Sequence, residues 1–241
     1  MKLRTLLLIL CVFPTLLSAQ ESVYCLHGFM RTSSSMDPMA TAFRRAGYEA
    51  TSWGYPSRDG LIEEHAAALV KELRKKAKQN PGEPIHFVTH SLGGIVVRAA
   101  LNDPNCPAEA KKGRAVLLVP PNRGTRFGHF LNHIKPMRKI VGNKSGMELF
   151  NQPNFDHLGQ FPEGVDVLVI SGTFGWNPFV GGINDGKVAV NESRLPTPHK
   201  QMTFFYGHSW IMFADRVIYA ALDFISDNQK ATPHNRTNLH H

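Results

Sequence analysis

The sequence predicts an α/β fold, a mostly parallel central sheet with helices on both faces. Three observations lead there. Strand-like and helix-like segments alternate from about residue 22 onward, the pattern that builds parallel sheets through helical crossovers. The 241 residues suit one full-sized domain with a substantial core rather than two. A hydrophobic content of 42% with mixed charge excludes a disordered or fibrous chain.

Each element follows from local pattern. Ser22 to Leu26 reads as a short buried strand running into His27-Gly28-Phe29. Asp37-Pro38 offers an N-cap with proline at the first helical position, Met39, Ala42 and Phe43 supply the helical face, and Gly47 ends it. Tyr48 to Trp53 reads as the next strand, closed by Gly54-Tyr55-Pro56. Asp59 is the expected cap of a helix reaching about Lys78, with Ile62, Ala66, Leu69 and Leu73 at three- and four-residue spacing. Its acidic residues come early and its basic ones late, matching the helix dipole. Asn80-Pro81-Gly82 breaks that helix. Ile85 to Thr89 is then a strand, Leu92 to Leu101 a helix and Ala115 to Val119 a strand ending in Pro120-Pro121. Val165 to Ile170 is the last clear core strand, and a closing helix is expected from Ser209 to Ile225.

Residues 122–162 break this rhythm. They carry many apolar side chains without a clean period, so they read either as a cap over a binding site or as packing around the sheet edge. Residues 20–229 form the expected domain and 230–241 a polar tail.

The first nineteen residues read as an export signal. Lys2 and Arg4 give a basic start, Leu6 to Leu17 an apolar run, and Ser18-Ala19 small residues before a cut at Gln20. An exported, secreted or periplasmic protein is the expectation. Cleavage removes two cations, so the net charge falls from +8 to +6. That balance favours peripheral contact with anionic membrane surfaces, and no nucleic-acid recognition motif accompanies it. Only Cys25 and Cys106 remain after cleavage. Cys25 reads as a buried free thiol, with a Cys25–Cys106 bridge as the alternative.

The chemistry concentrates at Val88-Thr89-His90-Ser91-Leu92-Gly93-Gly94. A serine at the tip of a strand–turn–helix is forced into a strained backbone conformation, and residues two before and two after it must be small. Thr89 and Gly93 stand there, with Thr89 in place of the usual glycine. Serine needs a base, and the base an orienting acid, in the chain order serine, acid, histidine. Asp185, in a glycine-rich loop, and His208, after the apolar run Met202 to Tyr206, meet that order. His199 is the rival base; Asp166 and Asp215 are the weaker acids. For a tetrahedral oxyanion, the Leu92 N–H at the start of its helix is one donor and the Phe29 N–H, beyond Gly28, the other. Met30, Trp176 and Phe179 are pocket candidates for an acyl or aromatic group. No H-E-x-x-H or similar spacing occurs, so neither metal nor cofactor is expected.

His27-Gly28-Phe29, the Thr-His-Ser-Leu-Gly-Gly elbow, Pro120-Pro121-Asn122-Arg123-Gly124, Asp185-Gly186-Lys187-Val188 and His208-Ser209 together resemble small lipase/esterase-type α/β-hydrolases. The resemblance spans nearly all of the mature chain and implies the α/β-hydrolase fold, shortened at its N-terminal edge by the two leading strands of larger members. It implies carboxylic-ester hydrolysis through an acyl-serine, with Ser91 as nucleophile, Asp185 as acid, His208 as base and Phe29 and Leu92 as oxyanion donors. A small-molecule or lipid ester is the implied substrate. A thioesterase, acyltransferase or amidase uses the same triad, and a non-catalytic binding protein of the same fold stays open beside them.

Overall fold

The computed structural model describes residues 20–134 and 144–226. The expected signal segment, the polar tail and residues 135–143 lie outside them.

Six strands form one all-parallel sheet: β1 (Ser22–Leu26), β2 (Glu49–Trp53), β3 (Ile85–His90), β4 (Arg114–Leu118), β5 (Asp166–Gly172) and β6 (Lys200–Phe204), in the order β2-β1-β3-β4-β5-β6. The helices are α1 (Asp37–Arg45), α2 (Ile62–Gln79), α3 (Leu92–Asn102), α4 (Arg126–Asn132), α5 (Ser145–Asn151) and α6 (Asp215–Ser226). Side chains alternate across each strand, so the sheet faces two separate cores. Tyr24, Leu26, Phe87, Leu117 and Val169 point toward α2 and α3. Val23, Cys25, Val88, Val116 and Ile170 point toward α1 and α6. Full burial of each large apolar side chain stabilises the fold by roughly 1.5–3 kcal/mol.

The strand order reverses direction between β1 and β3. Chains leaving those two strands diverge, and the crevice at their C-terminal ends is where open α/β sheets bind ligands. The loop after β1 carries Phe29, and the turn after β3 carries Ser91. Topology alone therefore puts the two side by side.

Three helix starts differ from expectation. Asp37 is the first residue of α1, not its cap, because a 3-10 turn over Ser33–Met36 runs straight into the helix. The second helix begins at Ile62 rather than after Asp59, whose N–H instead closes a turn onto the Pro56 carbonyl (2.8 Å). The Leu61 N–H donates to Glu64 Oε2 and the Ile62 N–H to Glu148 Oε2, each at 2.8 Å, so carboxylates satisfy the free amides of this terminus. The closing helix starts at Asp215, not Ser209. Between them the chain makes a 3-10 turn over Ile211–Phe213, anchored on the Gly207 carbonyl.

The described parts of the 122–162 segment pack in two places. Phe155, Leu158 and Phe161 join the core over α3, whose fully buried Arg98 donates from Nε to the Gly159 carbonyl at 2.6 Å. The helices α4 and α5, in contrast, stand over the strand ends. Cys25 and Cys106 are buried free thiols, without the bridge weighed as an alternative, and burial pushes the Cys25 thiol up to about 12.

Candidate active site

Ser91 sits between β3 and α3 with φ 51° and ψ −118°. A non-glycine residue there is strained by about 1–3 kcal/mol and persists only where its surroundings fix it. Here the Ser91 N–H donates to the Leu118 carbonyl at 2.9 Å, tying the elbow to the end of β4. The small residue two positions on is required by close approach. A Cβ on Gly93 would lie 2.8 Å from the His27 carbonyl oxygen and 2.9 Å from that of Leu26. The bulk of Thr89, fully buried on the other side, is accommodated because Gly94 stands opposite its hydroxyl.

Asp185 and His208 meet as the chain order requires. His208 Nδ1–H donates to Asp185 Oδ2 at 2.7 Å, with both side chains buried. The other carboxylate oxygen, Oδ1, accepts the N–H groups of Lys187 (2.9 Å) and Val188 (2.8 Å). The His208 N–H also donates to the Asp185 carbonyl at 2.9 Å. With Nδ1 so engaged, Nε2 is the nitrogen free to take and return a proton. Ser91 and His208 line the same cavity of about 340 Å³.

One more residue holds this pair. His90 Nε2–H donates to the His208 carbonyl at 2.8 Å, and the two rings lie 5.0 Å apart. That bond fixes the His90 tautomer and leaves its buried Nδ1 without a partner among the described residues. Burial, then the neighbouring His208, hold His90 well below the ordinary histidine range, so it stays neutral. Gly28 makes room for it, since a Cβ there would lie 2.4 Å from Nδ1. Sequence reasoning did not single out His90; its partner is 118 residues away, and only the run of chemistry around Ser91 hinted at it.

The loop after β1 is equally constrained. His27 Nδ1–H donates to the Gly28 carbonyl (2.9 Å), while Nε2 accepts the Tyr55 N–H (3.3 Å). The Tyr55 hydroxyl donates to the His27 carbonyl (2.8 Å), and the two rings stack at 4.4 Å. Burial lowers the His27 proton affinity, in keeping with this neutral role. Among the following amides, that of Met30 donates to Ser57 Oγ (3.1 Å) and that of Arg31 to the Gly28 carbonyl (3.2 Å). The Phe29 N–H makes no hydrogen bond among the described residues, and the Leu92 N–H opens the first turn of α3.

The cavity is mainly apolar, with Phe29, Phe127, Leu131, Leu149 and Phe150 in its lining. Of the three pocket candidates, only Met30 lines it. Trp176 is fully exposed, and Phe179 stacks on Phe130 with centroids 3.9 Å apart, on the outer side of α4. Both belong to the loop after β5, which turns outward before returning to Asp185. Each helix over the cavity is fixed at its N-terminal end. The Ser145 hydroxyl donates to the Ser57 carbonyl (2.6 Å), holding α5 to the loop after β2. Thr125 Oγ1 donates to the Lys187 carbonyl (3.0 Å), and Glu192 accepts the Arg126 N–H (2.9 Å), holding α4 to the loop that carries Asp185.

A model of the alpha/beta hydrolase family matches residues 23–233. No curated protein sequence is significantly similar to this chain. Among solved structures, a Bacillus licheniformis lipase in its propeptide form superposes with a TM-score of 0.73 at 21% identity, over 92% of this chain and 53% of that one. The chain thus spans about half the length of that form. The mature form of the same lipase gives 0.65 at 20% identity, over 86% of this chain and 90% of that one. A metagenomic carboxyl esterase gives 0.64 at 16% identity, over 80% and 66%.

Proposed function

This chain belongs to the alpha/beta hydrolase family, and from that premise we propose that it is an exported serine esterase or lipase acting on acyl esters through an acyl-serine. One observation carries the reading: the buried 2.7 Å Asp185–His208 pair beside a strained Ser91 at the wall of an apolar cavity. The structures named above, described as lipases and a carboxyl esterase, support an ester as the substrate class.

In the proposed reaction Ser91 Oγ attacks the ester carbonyl carbon and its proton passes to His208 Nε2. The carbonyl oxygen becomes an oxyanion facing the Phe29 and Leu92 N–H groups, which need no reorganisation to receive it. Collapse breaks the bond to the alcohol oxygen, which takes the proton from His208 and leaves. Water then repeats the sequence: it attacks the acyl carbon, gives its proton to His208, and the acid departs as Ser91 recovers that proton. Asp185 holds the tautomer and stabilises the imidazolium. The acyl chain is the part that suits the lining of Phe127, Leu131, Leu149 and Phe150.

Exposed Phe174, Trp176, Phe205 and Trp210 stand on the loops that carry Asp185 and His208. With the net positive charge, this rim supports peripheral contact with an anionic membrane surface. The test of the reaction is a panel of p-nitrophenyl esters of rising chain length on wild type and Ser91→Ala, with fluorophosphonate labelling. Labelling at Ser91 and loss of turnover in the variant are expected. Equal turnover by both proteins would refute the nucleophile.

A further inference from the structure

The ester reading accounts for the apolar part of the cavity and leaves two of its lining residues unexplained. Arg31 and Lys187 are cations in an otherwise acyl-compatible wall. Each is fastened to the acid–base machinery, the Lys187 carbonyl also receiving the Thr125 hydroxyl at the start of α4. Arg31, half-buried, donates from Nη2 to the Ser209 carbonyl at 2.8 Å, one residue past the base. Lys187 lies two residues past the acid and gives its N–H to Asp185 Oδ1. Neither forms an ion pair with a described residue. Crowding by protein atoms, and after it the Arg31 charge, lowers the Lys187 ammonium below the ordinary lysine value. The opposing charge, Asp185, is already engaged by His208 and by the Lys187 and Val188 N–H groups, so two like charges lining one cavity leave an arrangement that a further anion relieves.

The reaction's geometry says which part of a substrate meets them. His208 must hand its proton to the leaving alcohol, so the alcohol lies beside His208 while the acyl chain enters the apolar lining. Cations tied to Ser209 and Asp185 stand on the alcohol's side. We propose that Arg31 and Lys187 form an anion subsite for the alcohol half of the ester, so that the preferred substrates are acyl esters of alcohols bearing a phosphate or carboxylate. This inference rests on the ester-hydrolase reading and narrows its substrate class.

The test compares three octanoyl esters below their critical micelle concentrations: of glycerol, of glycerol 3-phosphate and of glycolate. The readout is the ratio of kcat/KM for each anionic ester over the neutral one, which cancels any change in the folded fraction. For wild type at low ionic strength a ratio of about ten is expected for at least one anionic ester, shrinking as sodium chloride screens the contact. Lys187→Glu is expected to bring that ratio to one or below, and Lys187→Arg to keep most of it. Preference for the phosphate ester alone points to a phosphate headgroup, for glycolate alone to a carboxylate, and for both to general anion recognition. A wild-type ratio near one for both anionic esters, or a ratio that survives Lys187→Glu, overturns the subsite while the hydrolase reading stands. If no ester is turned over and Ser91 resists fluorophosphonate labelling, the hydrolase reading itself fails, and the subsite with it.

Discussion

Exchanging Gly93 for alanine isolates the contact that holds α3 against the end of β1 and the loop after it. The new methyl would meet backbone oxygens at 2.8 and 2.9 Å and the Leu26 Cβ at 3.0 Å. No side-chain rotation relieves backbone contacts, so α3 must move away from the end of β1. Such overpacking costs about 1–3 kcal/mol. Alanine returns about 1 kcal/mol as the better helix former. Backbone atoms cannot yield, so the cost falls at about 2–3 kcal/mol and the net expectation is a loss of about 1–2 kcal/mol. The same displacement separates the Leu92 N–H from the Phe29 N–H, and small misplacements of this kind lower turnover by about 10- to 100-fold. Gly94→Ala is the matched control. Its methyl meets side-chain atoms, the nearest being Thr89 Oγ1 at 3.1 Å, so a stability change within about 1 kcal/mol of zero is expected with turnover within a few-fold. Urea unfolding midpoints and p-nitrophenyl butyrate kinetics on both variants decide it. A Gly93→Ala protein with wild-type midpoint and activity, or a Gly94→Ala protein worse than it, would refute the reasoning.

Three further outcomes are expected. Asp185→Asn cannot hold the His208 tautomer and should lower kcat by about 10⁴-fold while leaving a folded protein that binds substrate with a similar KM. Burial lowers the proton affinities of His27, His65, His86 and His90, so the unfolded chain binds more protons than the native one as pH falls below about 6.5. Stability should therefore be fully present above that pH and decline on acidification, by up to about 1.4 kcal/mol per pH unit for each histidine, and His90→Gln should flatten the slope of melting temperature against pH. A variant with an unchanged slope would show that His90 is not among the titrating groups. Phe150→Ala enlarges the acyl lining beside Gly128 and Phe29; the preferred p-nitrophenyl chain should lengthen and the melting temperature fall, and an unaltered chain-length profile would remove Phe150 from the acyl pocket.

Much of the architecture was legible because its determinants are local. The strands are short apolar runs between turn residues, and the elbow announces itself through residues within two positions of Ser91. The pairing of Asp185 with His208 was readable at one remove, because chain order in such folds limits the choices. What escaped was set at a distance. The N-terminus of α2 takes one carboxylate from Glu148, which lies 86 residues away from Ile62, so the nearby Asp59 attracted the assignment instead. Trp176 and Phe179 were read as pocket residues because hydrophobicity gives no side to a loop. His90 resembled a spacer between a threonine and a serine until its ring was found on the His208 carbonyl.

Strain is concentrated around this site. Among the described residues, the non-glycine positions with positive φ are Met30, Ser91 and Val119. They follow β1, β3 and β4 respectively, three neighbouring strands, and all lie at the same end of the sheet. For a β-branched residue such as Val119 the conformation is a true outlier, costing about 1–3 kcal/mol. Each is held by a hydrogen bond from its own N–H: Met30 to Ser57 Oγ, Ser91 to the Leu118 carbonyl, and Val119 to the Ile170 carbonyl at 2.7 Å. The last two form a chain across the sheet, in which β5 fixes the end of β4 and β4 fixes the elbow after β3. A flat sheet edge would not require such turns. Their alignment makes sense if the sheet's rigidity is used to keep Ser91, Phe29 and Leu92 in one fixed relation before any ester arrives. On the proposed reading, the choice of substrate then falls to the side chains of α4, α5 and the cation pair that line the cavity.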